Sequence, residues 1–262
     1  MDQTGFVQVE ITTVCNFGCF YCAGRAMPQR HMPPEAFAQV LARLPSHRAG
    51  LCVSLQGEGE PTLHPQFWQL VEAVHAQGLR PYTITNATRI DVDRFDRLLP
   101  EVGVSVDTLD RAEAERIGRY NLPKVLDNLV TLLARLGPRR LLVHTADYGQ
   151  PLGPLRAELS RLGLRQLVQP LQRKADYLRH YPDAVRQPLV AGVSFSRSAA
   201  AARPGHCTYL ATPRMRYFNI DGIELPCCFI KDVPADFSTE ALRRTVAAGG
   251  VPPTCRGCRE LH

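Results

Sequence analysis

The chain has 262 residues, 45% of them hydrophobic, and a net charge of +6, enough for one large domain, or a domain with a small appendage, around a sizeable core. No stretch approaches 18 apolar residues, which excludes a membrane-spanning helix. The charge is carried almost wholly by arginine, with Lys124, Lys174 and Lys231 the only lysines, and no basic run exceeds two residues, so nucleic-acid binding is not expected.

The residues Met1-Asp-Gln-Thr-Gly5 lack the basic and apolar stretches of a secretory leader, so the cytoplasm is the expected compartment. Nine cysteines in a cytoplasmic chain point to metal binding or catalysis rather than disulfides. Val7, Val9 and Ile11 alternate with polar residues and predict a first strand. Soon after it stands Cys15-Asn-Phe-Gly-Cys19-Phe-Tyr-Cys22, read C-x3-C-x2-C. Three thiolates this close can hold three irons of a [4Fe–4S] cube and leave the fourth iron open. A zinc site calls for four ligands, usually from C-x2-C pairs. Tyr21, just before Cys22, suits a flat adenine ring lying beside such a cluster.

Pro33-Pro34 opens a helical pattern with Phe37, Val40, Leu41 and Leu44 on one face. Leu51–Leu55 reads as a second strand, in which Cys52 is a small apolar filler. A helix is predicted over Pro65–Gln77, with Leu70, Val71 and Val74 inward and Gly78 as its stop. Pro81–Thr85 is a third strand, followed by a helix near Val92–Leu99, and Val102–Val106 is a fourth strand. The strongest helical signal is Leu122–Leu136, with Val125, Leu126, Leu129, Leu132 and Leu133 inward and Gly137-Pro138 at its end. Arg140–Thr145 and Arg165–Gln169 read as fifth and sixth strands about a helix near Leu155–Leu162. Repeated βα units imply a parallel sheet with right-handed crossovers. Six such units fall short of the eight that close a barrel of about 250 residues.

Residues 171–206 show little period and read as a substrate-covering loop or a linker. The expected division is therefore 1–170, 171–206 and 207–262. The last segment carries Cys207, Cys227, Cys228, Cys255 and Cys258, a β-hairpin over Tyr217–Leu225 turning at Asp221-Gly222, and a helix near Ser238–Ala248. On its own this cysteine set suits structural zinc as well as iron–sulfur.

The C-x3-C-x-aromatic-C run resembles the signature of radical S-adenosylmethionine (radical SAM) enzymes. The resemblance implies an α/β fold, an open (β/α)6 partial barrel with a small C-terminal extension. It also implies that Cys15, Cys19 and Cys22 bind a [4Fe–4S] cluster whose open iron is chelated by SAM. One electron, from a flavodoxin- or ferredoxin-type donor, then splits SAM and gives a 5′-deoxyadenosyl radical. Gln56-Gly57-Glu58-Gly59-Glu60-Pro61 resembles the family's GGEP motif, with Glu58 where the first glycine usually stands. By that likeness the strand-end backbone and Glu60 accept the SAM ammonium, and Glu58 sends a further carboxylate towards the substrate. Asn86, Ser105 and Asp107, at the ends of the third and fourth strands, are implied to contact SAM; Asp107 reads equally as a helix N-cap. Cys207, Cys227, Cys255 and Cys258 resemble the ligands of a "twitch" extension, which binds one auxiliary [4Fe–4S] cluster.

Small twitch enzymes resemble carbohydrate and aminocyclitol enzymes of antibiotic biosynthesis, the aminoglycoside epimerases and the 2-deoxy-scyllo-inosamine dehydrogenase type among them. Cys228 is the candidate catalytic thiol: adjacent cysteines in a strand point to opposite faces, so Cys228 can face a cavity while Cys227 binds the cluster. It reads otherwise as packing. As a hydrogen donor it makes the chain an epimerase acting on a sugar, aminocyclitol or nucleoside; without one, a dehydrogenase is expected. Peptide modification is a further alternative, disfavoured because such enzymes usually carry a winged helix ahead of a strand that here begins near Phe6. Arg173 and Lys174 are candidate contacts for phosphate or carboxylate, and Asp147, Asp176 and Glu58 for amines. His144 is a candidate polar contact or a satisfied core histidine.

Overall fold

A computed structural model describes residues 5–44, 50–171, 206–211, 215–258 and 260–261. The strands are β1 (Phe6–Val9), β2 (Cys52–Leu55), β3 (Arg80–Tyr82), β4 (Ile84–Thr85), β5 (Val102–Ser105), β6 (Leu141–Asp147), β7 (Arg165–Pro170), β8 (Met215–Phe218) and β9 (Glu224–Leu225). The helices are α1 (Pro34–Ala42), α2 (Phe67–Ala76), α3 (Val92–Leu98), α4 (Arg111–Arg116), α5 (Leu122–Leu136), α6 (Gly153–Arg161), α7 (Thr208–Ala211) and α8 (Thr239–Ala247).

The six βα strands run parallel in chain order, as the sequence predicts. This is a mixed α/β fold of the partial-barrel kind. The predicted third strand is broken into β3 and β4, which hydrogen-bond to different neighbours, β2 and β5. The physical reason lies at its centre. Pro81 has no N–H to give, and the Thr83 hydroxyl donates to Leu55 O at 2.7 Å while Gly103 N donates to Thr83 O at 2.8 Å. The ladder therefore changes partner at Thr83.

Alternate strand residues face opposite ways. Val7, Val9, Val53, Leu55, Val102, Val104 and Val143 point outward into one core shared with the helices. On α5, Leu122, Val125, Leu129, Leu132 and Leu136 are buried at helical spacing, whereas the predicted Leu126 and Leu133 are half-buried at the stripe's edge. Helix α2 starts two residues later than predicted, because Pro61–Leu63 forms a separate turn capped by the Glu60 side chain. Helix α4 was not separated from α5 in the sequence; Asp110 caps it by accepting from Glu113 N at 2.9 Å. Asp107 is therefore not that helix's N-cap.

The predicted hairpin is β8–β9, with Gly222 N donating to Asn219 O at 2.8 Å across its turn. Its placement was not foreseen. β8 lies parallel to β1, pairing Phe6 with Met215 through Val9 with Phe218, so the extension continues the barrel's own sheet. No helix among the described residues is long and apolar enough to cross a membrane.

Candidate active site

The loop after β1 holds Cys15, Cys19 and Cys22, all free thiols. It is pinned from several sides. Gly18 N donates to Gly118 O at 2.9 Å and Phe20 N to Ile117 O at 3.2 Å, fixing it to the α4–α5 link. Asn86 Nδ2 donates to Asn16 Oδ1 at 2.9 Å and stands 3.9 Å from Cys15 Sγ, and Phe17 N donates to that sulfur at 3.4 Å. Burial and the Glu58 charge push the Cys22 thiol well above its usual range, so a thiolate there needs a compensating cation. Among the described residues, no three His, Cys, Asp or Glu side chains converge as the ligands of a single metal ion would. Three free thiols on one short loop, with N–H groups turned to sulfur, fit the three protein ligands of a [4Fe–4S] cluster.

The motif loop lies against this one. Gly59 N donates to Thr12 O at 3.1 Å and Glu60 N to Val14 O at 2.8 Å. A Cβ on Gly59 would stand 2.5 Å from Val14 O and 2.7 Å from Thr12 O, so the glycine serves backbone–backbone approach. Gly57 likewise sits against the Glu10 side chain. Gly59→Ala is expected to cost about 1–3 kcal/mol, because both contacting atoms are backbone and cannot swing aside. A thermal melt shows it as a fall in Tm of about 2–4 °C per kcal/mol for a chain of this size.

Glu60 is buried and fully engaged. Its carboxylate accepts from Thr62 N at 3.1 Å, Thr62 Oγ1 at 2.7 Å, Thr85 Oγ1 at 2.6 Å and Asn86 N at 2.7 Å. Burial raises its pKa against these bonds. The side chain ties the motif loop to the end of β4. Glu58 borders the lumen and is held by partners of its own. Its carboxylate pairs with Lys231 of the extension and accepts from Gly24 N at 3.2 Å. Burial acts to raise its pKa, but the Lys231 charge and the hydrogen bonds from Lys231, Gly24 and Cys22 together outweigh that and lower it.

Tyr21, Asp107 and Arg119 form a second buried cluster. The Tyr21 hydroxyl donates to Asp107 Oδ2, Arg119 Nε lies 2.8 Å from both, and Ala146 N donates to Asp107 Oδ1 at 2.8 Å. Burial pushes the Tyr21 phenol well above its ordinary value. Burial opposes the Arg119 charge, but Asp107 and Tyr21 outweigh it and hold the guanidinium high. One face of the Tyr21 ring is stacked on Tyr148, with centroids 5.9 Å apart and planes 16° apart. Sequence reasoning passed over Arg119, which follows Gly118 in an interhelical link with no spacing to mark it.

These parts surround one cavity of about 740 Å³ in the barrel lumen. Tyr21, Cys22, Glu58, Ser105 and Asp107 line its upper part, and Cys228 and Lys231 line it from the extension. Cys52 also lines it, at the opposite end, where it is more than an apolar filler; burial pushes its thiol up to about 11. Cys227 and Cys228 are not in a strand, since β9 ends at Leu225 before Pro226, which cannot donate to a ladder. Strand alternation is thus not what turns Cys228 to the cavity; the turn after Pro226 is. Cys207 pairs antiparallel with Leu261, which places it beside the Cys255–Cys258 turn closed by Cys258 N donating to Cys255 O at 3.0 Å. Asp147 Oδ1 accepts from Gly149 N at 3.1 Å in a turn. Arg173, Lys174 and Asp176 lie outside the described residues.

His144 lines the lumen, 9% exposed, with Nε2 2.8 Å from the Tyr82 hydroxyl and Nδ1 without a hydrogen-bond partner among the described residues. Burial lowers its pKa to about 4. As pH falls from 6.5 the unfolded chain gains a proton that folded His144 refuses, so stability falls. His144→Gln removes that component and is expected to spare about 1.5 kcal/mol of the loss between pH 6.5 and 5. Urea titrations of both proteins at the two pH values measure it.

The radical SAM superfamily model matches residues 9–152. An S-adenosylmethionine-dependent nucleotide dehydratase from Thermoplasmatales archaeon (strain ISO4-H5) is 29% identical over 114 residues, covering 42% of this chain and 41% of the relative. A GTP 3',8-cyclase from Mannheimia succiniciproducens is 34% identical over 118 residues, covering 40% and 34%. The chain thus spans well under half the length of these relatives. Among solved structures, Streptococcus suis SuiB bound to precursor peptide SuiA superposes with a TM-score of 0.68 at 14% identity, over 100% of this chain and 71% of that one. BtrN in complex with AdoMet and 2-DOIA superposes with a TM-score of 0.55 at 15% identity, over 98% and 94%. The fold is shared with both. With the cysteine loop, the motif loop and the lumen assembled as described, the chain belongs to the radical SAM superfamily.

Proposed function

We propose that this enzyme abstracts a hydrogen atom from a ring carbon of a polar small molecule held in the lumen and returns hydrogen from Cys228, acting as an epimerase. When bound, the cluster and SAM supply the 5′-deoxyadenosyl radical that performs the abstraction. The observation that carries the reading is that Cys22 and Cys228 open onto one cavity. Cys15, Cys19 and Cys22 hold the cluster; Gly57, Gly59 and Glu60 shape the motif loop, and Asn86, Ser105 and Asp107 lie at the strand ends facing it. Cys207, Cys227, Cys255 and Cys258 are assigned to an auxiliary [4Fe–4S] cluster in the C-terminal segment. When bound there, such a cluster would supply the one electron that, with a solvent proton, returns the Cys228 thiyl radical to the thiol, and a flavodoxin- or ferredoxin-type protein is the source of reducing equivalents.

The substrate class follows from charge. Arg119 is matched by Asp107 and Lys231 by Glu58, both pairs buried. The upper wall therefore offers hydrogen bonds with little net charge, which suits a sugar, aminocyclitol or nucleoside. The relatives' names concern nucleotides, and a nucleoside falls within this class.

The test is an anaerobic incubation of reconstituted enzyme with SAM, reductant and candidate aminoglycosides or nucleosides in D2O. One solvent deuterium in an isomer of unchanged redox state supports epimerisation through an exchangeable thiol. A product two hydrogens poorer establishes a dehydrogenase instead. Absence of 5′-deoxyadenosine with every candidate refutes the radical reading.

A further inference from the structure

The end of β1, the motif loop and the extension meet in a buried charged network. Glu10 Oε2 accepts from Tyr217 Oη at 2.9 Å and Ile220 N at 3.2 Å, and its Oε1 accepts from Glu58 N at 3.4 Å. The Glu58 carboxylate pairs with the Lys231 ammonium, at side-chain exposures of 14% and 3%. The same carboxylate accepts from Gly24 N, and its Oε2 lies 3.7 Å from Cys22 Sγ. The Glu58 carbonyl accepts from Arg25 at 3.2 Å. Lys231 Nζ stands 5.8 Å from the Tyr217 ring centroid. Lys231 also lines both the lumen and an outer groove of about 450 Å³ that Glu10 shares, so it sits within the wall between them.

Two buried carboxylates and one buried ammonium are an expensive way to fill a wall. Buried ion pairs do little for net stability, yet breaking one by removing a single partner is costly. What such a pair does well is fix one arrangement. Here the arrangement is specific: one partner sits on the loop that touches Cys22, the other three residues after Cys228.

We propose that Lys231 and Glu58 are positioning residues that lock the C-terminal extension onto the SAM-motif loop and so set Cys228 against the Cys22 arm of the cluster loop. This deepens the function proposed above and rests on it only for the role of Cys228. The lock works through geometry. Lys231 holds the Glu58 carboxylate, Glu58 holds Gly24 and the cluster loop, and the Lys231 segment carries Cys228 with it.

The experiment compares reconstituted wild type with Lys231→Met, Lys231→Arg and Lys231→Met/Glu58→Gln. Hydrogen exchange is followed by mass spectrometry on peptides covering residues 56–60 and 215–231. The reduced cluster's EPR spectrum is recorded with and without SAM. Lys231→Met should speed exchange about tenfold in both peptides together, since it leaves two carboxylates buried with one cation gone. It should also alter the SAM-bound EPR signature. Lys231→Arg should restore both readouts, and the double variant should restore exchange more than Lys231→Met does. Faster exchange in residues 215–231 alone, or an unaltered SAM-bound spectrum in Lys231→Met, overturns the lock. Because neither readout uses substrate, a failure of the Cys228 role leaves this result separately readable.

Discussion

Arg119→Met is expected to destabilise the enzyme by about 3–5 kcal/mol, the cost of removing one partner from a buried ion pair. The size follows from what is left behind. Asp107 is 1% exposed and keeps Tyr21 and Ala146 N as donors, but it loses the one cation that compensates its charge at 2.8 Å. Arg119 also donates to Ser105 O at 2.8 Å, and that acceptor loses its donor. Asp107→Leu combined with Arg119→Met should recover a large part of the loss, since two apolar groups replace two charges. Anaerobic urea titrations of the single and double variants measure this; a single-variant loss below about 1 kcal/mol would mean that the pair behaves like an exposed one. The effect should reach the cluster loop, because Arg119 Nε also donates to the Tyr21 hydroxyl next to Cys22.

How much of this was legible in the sequence depended on range. Elements with their own period or punctuation were read directly: α5, between its apolar stripe and Gly137, the β8–β9 hairpin with its Asp221-Gly222 turn, and the six parallel strands. The cysteine loop was legible because its spacing is local chemistry. What escaped were pairings set by the sheet's closure. Nothing near Met215 says that β8 will lie beside β1, since parallel neighbours need share no local pattern. The break at Thr83 depends on a hydroxyl meeting a carbonyl 28 residues away. Glu58 was noticed as a departure from a motif, but its partner Lys231 was not. The available signal was composition: Lys231 is one of three lysines in an arginine-rich chain, and it stands three residues after Cys228. Glu60 teaches the complementary lesson, because a motif residue's bonds inside the protein cannot be read from the motif.

Cys228→Ala is expected to cut epimer formation by at least about a hundredfold, more than 2.7 kcal/mol in barrier terms, while 5′-deoxyadenosine still forms. The separation follows from where the thiol stands. Cys228 lines the lumen from the extension and is not one of the Cys15, Cys19 and Cys22 triad, so abstraction from substrate needs none of its atoms. Quenching the carbon radical requires a hydrogen atom from a weak bond. A thiol S–H supplies it and leaves a thiyl radical, which one electron and one solvent proton return to the thiol. Cys228→Ser should fail like Cys228→Ala, because an O–H bond is too strong to donate. Cys52→Ala is the discriminating control. Cys52 shares the cavity, but it begins β2, four residues before Gln56, which places its backbone about 13 Å along the strand from the motif loop. That variant should keep both the epimer and its solvent deuterium. If Cys52→Ala loses the product while Cys228→Ala keeps it, the hydrogen comes from the barrel's floor and the two thiols exchange roles. If both variants keep it, neither Cys52 nor Cys228 is the required donor.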